Sequence, residues 1–217
     1  MPSVKIPRKS TFTDMTPFVD VAFLILSFFM LATKFKPPAP VQITTPRSVS
    51  SDKLQEQDAV LVEFDSVGRV FFTLNVKNPT NDNGKKLDLI KKVNDARKLG
   101  LSEGEMQSFM NNSTIGVPFT SVKQLLATPL ERRGAVKQPG IPVDSTNNEL
   151  VDWVGYAVNV FQGRTLNLMV KGDNNAKYPS FKGVIEAFRK NDQFKYQMIT
   201  DPETVPYGTD LYKIRQR

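Results

Sequence analysis

Apolar and polar positions divide the chain into a greasy beginning and a longer, alternating remainder. Residues 15–33 hold nineteen positions with a single ionisable side chain, Asp20. At 1.5 Å per residue a helix of that length reaches about 30 Å, the hydrocarbon thickness of a bilayer. The pattern predicts a transmembrane helix over 14–34, after a short cytoplasmic tail (1–13). Thr16–Pro17 marks its start, because Pro is tolerated in a first turn whose N–H groups are unpaired anyway. Lys34 and Lys36 close the apolar run with side chains long enough to snorkel to the opposite interface.

The stretch 35–58 is rich in Pro at its start and reads as an extended linker. Within it VQITT is a strand candidate able to pair with a sheet edge of its own or of a partner. An α/β (α+β) domain is expected over 59–217, on the far side of the membrane from the tail. AVLVEFDSVGRVFFTLN (59–75) alternates as a β-hairpin about Asp65–Gly68. A long middle region, about 77–148, carries helical pieces near 85–98, 102–112 and 119–128, with Leu87, Ile90 and Val93 as a core stripe. Leu150, Val154, Ala157, Val158 and Phe161 then fall on one face of an amphipathic helix. LNLMV (166–170), a helix burying Phe181, Val184, Ile185 and Phe188, and FKYQMIT (194–200) give a strand–helix–strand unit of a small α/β sheet domain.

Composition narrows the chemistry. Cys and His are absent, which excludes thiolate and imidazole metal sites, Cys nucleophiles and His-based triads. No metal or cofactor is expected, and no nucleophile–base constellation marks an enzyme. The net charge is +7, but residues 1–36 carry five Lys/Arg against two Asp, so the remainder is only mildly basic. A solvated surface accounts for that better than nucleic-acid binding. The turn near Lys171–Asn175 lacks the glycine spacing of a P-loop, and Asp173 reads as turn chemistry.

Asp20 is the residue that needs a reason. A carboxylate at membrane depth costs about 2.5–3.5 kcal/mol on insertion scales, and protonation lowers that cost. Positions 16, 20, 23, 24 and 27 share a helix face, so Thr16, Asp20 and Ser27 form a thin polar stripe that should face protein or a water-filled gap. A carboxyl there can load a proton on one side and release it on the other. Each charge crossing about 100 mV carries about 2.3 kcal/mol, enough to bias a conformational step. The plainer alternative is an Asp that only snorkels or caps the first turn. A cleaved signal peptide is the competitor for the whole segment, although Asp20 and the residues around Met30–Ala32 fit one poorly. Basic residues flank both ends, so charge gives the cytoplasmic N-terminus only a slight preference.

TPFVDVAFLILSFFMLAT resembles the membrane signature of the ExbD/TolR family of proton-driven transport subunits. Pro17, Phe18, Val19, Asp20 and Val21 match its opening step, and Phe29 and Met30 match its end. The resemblance covers this segment and the final strand–helix–strand unit, while the middle region is longer than the family pattern. It implies that Asp20 stands at the essential proton-carrying aspartate, and that an ExbB/TolQ-like polytopic subunit encloses the helix. It further implies a periplasmic C-terminal domain, a homodimer, a TonB-like protein that receives the work, and a place in the inner membrane. A Tol-type envelope-maintenance subunit, or a tethered periplasmic binding or scaffold domain with the helix as mere anchor, are the alternatives.

Overall fold

The computed structural model describes residues 14–32, 41–49, 54–77, 83–209 and 212. The tail expected at 1–13, the Lys34 and Lys36 boundary and the prolines of 37–40 lie outside the described residues. Two compact units result, Met1–Lys36 and Pro37–Arg217.

The described part of the first unit is one helix, α1 (Thr16–Ala32). It forms because, beyond Pro17 near its start, the run holds neither Gly nor Pro to interrupt the i→i−4 ladder. Among the described residues no helix is long and apolar enough to cross a membrane. α1 begins two residues inside the expected 14–34 and is described over 17 residues, while residues 33 and 34 of that span lie outside the described residues.

The second unit mixes helices with a four-stranded sheet. In chain order it contains β1 (Arg47–Ser48), β2 (Ala59–Phe64), β3 (Val70–Asn75), α2 (Asn83–Arg97), α3 (Glu103–Asn111), α4 (Phe119–Ala127) and α5 (Leu130–Arg133). α6 (Glu149–Val160), β4 (Asn167–Gly172), α7 (Tyr178–Lys190), β5 (Gln197–Met198) and β6 (Asp201–Pro202) follow. The sheet order is β3-β2-β4-β5, with β2 antiparallel to β3 and parallel to β4. The hairpin falls where the alternation places it. Asp65 Oδ1 accepts from Val67 N and Arg69 N, and Gly68 takes a φ of +96° that a side chain would resist.

Period-two alternation gives the sheet two different faces. Val60, Val62 and Phe64 of β2 share one with Phe72 and Leu74 of β3 and with Leu168 and Val170 of β4. All belong to the main core with the helices. Trp153 of α6 is fully buried there, its ring 5.3 Å from Phe72 and 5.2 Å from Phe119. In α2 the buried stripe is Leu89, Ile90 and Val93, while the expected Leu87 is only half-buried. The opposite face carries Glu63, Phe71, Met169 and Lys171.

The middle region closes the outer edge of β3. Phe72 and Ile115 exchange backbone hydrogen bonds of 2.8 Å, and Ile141 N donates to Val70 O at 2.8 Å. A sheet edge with free N–H and C=O groups is thereby covered. α3 starts with a capping box between Ser102 and Glu105. α5 is an additional short helix in a stretch where no helix was expected.

Two expected strands are shorter than their patterns. Of 194–200 only Gln197–Met198 pairs with β4, and Phe194 is exposed. In the stretch read as a linker, residues 41–49 belong to the folded unit. Thr45 is buried, and the strand is Arg47–Ser48 rather than VQITT, parallel to Asp201–Pro202.

Candidate functional site

α1 carries the four residues singled out in the sequence, Thr16, Pro17, Asp20 and Ser27. Its first turn is built by Asp14, whose Oδ1 accepts from Thr16 N at 3.0 Å and from the Thr16 hydroxyl at 2.5 Å. That satisfies one of the N–H groups that a helix start leaves unpaired, and Pro17 removes another. The first intrahelical bond runs from Val19 N to Met15 O at 3.0 Å.

At 100° per residue Thr16, Asp20 and Ser27 lie within an arc of about 40°. Two of the three settle their polar groups within the chain. Thr16 donates to Asp14, and the Ser27 hydroxyl donates to the Leu24 carbonyl at 2.9 Å. Asp20 is exposed and makes no hydrogen bond or ion pair among the described residues. The apolar side chains of the helix are exposed too: Phe18, Phe23, Leu24 and Phe28 are each more than half accessible. Such a cylinder requires an apolar environment or a protein wall to cover it.

Chemically the arrangement offers one free carboxylate with a hydroxyl a turn before it and another two turns after it. Among the described residues no group of His, Cys, Asp and Glu could hold a metal ion. Asp173 takes the structural role its turn suggested, accepting from Asn175 N at 2.9 Å and from Thr44 N at 3.1 Å. A groove of about 600 Å³ lies between the Pro139–Ser145 loop and the start of α7, lined by Pro142, Asp144, Tyr178, Lys182 and Glu186. No motif announced it, because its two walls are separated by more than thirty residues of chain.

The architecture is therefore a mixed α+β domain on a chain whose other unit is an apolar helix bearing a lone carboxylate. A family model described as biopolymer transport protein ExbD/TolR matches residues 8–203, and the chain belongs to that family. The match runs through the middle region as well, so the kinship extends beyond the helix and the last strand–helix–strand unit. Neither a curated protein nor a solved structure matches the chain. Membership points to energy transduction in biopolymer transport, with membrane-complex partners of the ExbB/TolQ kind. The family is typically associated with the inner membrane.

Proposed function

We propose that the chain is a non-enzymatic subunit of an ExbB-ExbD/TonB-type inner-membrane complex that uses the protonmotive force to power transport across the outer membrane. In this reading α1 crosses the membrane with its N-terminus in the cytoplasm, and Asp20 carries the proton. The observation that supports it is the lone, unpartnered Asp20 on a helix that is apolar outside one narrow stripe. Seventeen residues give about 25 Å, at the short end of what spans a bilayer, and the apolar sequence continues to Thr33. An intramembrane carboxylate is by default a functional group with a partner, and one helix cannot line a proton path alone. A polytopic ExbB/TolQ-like subunit supplies the enclosing wall. The C-terminal domain is periplasmic, pairs with a second copy, and passes the work to a TonB-like protein.

The test replaces Asp20 by Asn in the full chain, expressed with its polytopic partner in its own membranes. Protein level and membrane insertion stay normal while proton-driven uptake of large outer-membrane substrates is abolished. Normal uptake together with loss of envelope integrity would assign the chain to a Tol-type system. Wild-type behaviour in both assays would reduce α1 to an anchor and remove the proposal.

A further inference from the structure

We infer that the outer face of α7, together with the loop leading into β5, docks on the surface of an anionic lipid bilayer; this rests on the reading of α1 as a membrane span. Helical spacing puts Tyr178, Phe181, Lys182, Ile185 and Arg189 on one side of α7. Tyr196 closes a shallow groove of about 220 Å³ with them, its ring 5.9 Å from that of Phe188. Large apolar side chains stand out from this face: Tyr178 is 71% exposed, Phe194 69% and Met198 47%. The core is served by other residues of the same helix, Val184, Ala187 and Phe188.

Around the rings stand Lys177, Lys182, Arg189, Lys190 and Lys195, all exposed, against Glu186 and Asp192. None of the five cations forms an ion pair among the described residues. That combination suits a phospholipid interface, where aromatic rings settle at headgroup depth and basic side chains meet phosphates. The covalent layout brings a bilayer within reach. Thr44 is fastened to Asp173 and Asn174, and α7 begins four residues after the latter. Eight residues separate Ala32 from Val41, which allows at most about 30 Å of chain. A domain tethered that closely meets the bilayer at a high effective concentration, so a patch of modest intrinsic affinity is enough.

The experiment reconstitutes the full chain carrying Phe194→Trp in vesicles whose lipids are brominated near the headgroup. Trp153 is the natural chain's single tryptophan and is fully buried, so the unsubstituted chain supplies a constant background. In mixed phosphatidylglycerol–phosphatidylcholine vesicles the added indole should be quenched by bromine and shielded from aqueous acrylamide. Lys182→Gln, Arg189→Gln and Lys195→Gln combined should weaken docking about a hundredfold, each cation being worth about fivefold near an anionic surface. Pure phosphatidylcholine should give the same loss of quenching. No bromine quenching in anionic vesicles would overturn the inference, and so would equal quenching in neutral ones. Shielding from acrylamide without bromine quenching would overturn it too, by placing a protein on this face. Alkaline carbonate washing decides the underlying reading separately. A chain stripped from the vesicles has no membrane-spanning α1, whereas one that resists washing but shows no quenching keeps its span and removes only the docking.

Discussion

The Thr44 N–H donates to Asp173 Oδ2 at 3.1 Å, while the Thr44 carbonyl accepts from Asn174 N at 2.8 Å. A residue from the stretch after the apolar helix is thus fastened to the turn that follows β4. The same stretch continues as β1 against β6, with Asp201 N on Pro46 O and Glu203 N on Ser48 O. Four hydrogen bonds attach 44–48 to two places more than 120 residues further along the chain. Asp173→Ala removes the side-chain fastening and leaves the Asn174 bond. Amide exchange at Thr44, Arg47 and Ser48 should quicken about fivefold to tenfold, with the global unfolding midpoint nearly unchanged. Exchange at the wild-type rate in this variant would mean that Asp173 serves only its own turn.

Arg133 holds the middle region together from inside. It is 4% exposed, and its guanidinium donates to Thr128 O at 3.1 Å, to Leu126 O at 3.0 Å and to the Ser108 side chain. The acceptors come from α3 and from the end of α4 and the residue that follows it, so one planar fork ties neighbouring helices through their C-terminal carbonyls. Lysine keeps the charge but not the fork geometry. Arg133→Lys should therefore destabilise the protein by about 1.5–3 kcal/mol, measured by denaturant unfolding of the full chain in detergent. A loss below about 0.5 kcal/mol would show that the site does not depend on the fork.

Glu63 lies on the sheet face opposite the main core, 3.6 Å from Lys171 of the neighbouring strand. Burial pushes its carboxyl above the ordinary value of 4.5, and Lys171 offsets only part of that. Below about pH 4.5 the group is protonated in the folded and unfolded states alike, so its contribution to stability is fully present. As pH rises the unfolded chain ionises first, and stability falls through the raised folded value. Glu63→Gln should abolish this fall, making the variant more stable than wild type at pH 7 and no more stable at pH 4. Thermal unfolding of both proteins at the two pH values checks the sign. A variant less stable at pH 7 would mean that the Lys171 pair outweighs desolvation.

Local patterns settled most elements of this chain. The hairpin was legible because alternating Val and Phe positions flank a turn whose Asp65 and Gly68 have few other conformational uses. The helices over 83–97, 103–111, 119–127 and 149–160 followed from apolar spacing, and the capping pair Ser102–Glu105 sits in the sequence itself. The lone Asp20 in an apolar run was equally plain, since its oddity needs no partner to be seen. What the sequence alone could not decide were relations between segments far apart in the chain. That Ile115 and Ile141 would cover the edge of β3, that β1 would find β6, and that Arg133 would meet Ser108 depend on where packing brings separate backbones. Strand ends such as 194–200 were overread for the same reason: alternation announces a willingness to pair, whereas the number of residues that do pair is set by the reach of the neighbouring strand. The direction of the Thr16 hydroxyl was hidden too, because a side chain's proton goes to whichever acceptor the folded backbone holds within about 3 Å.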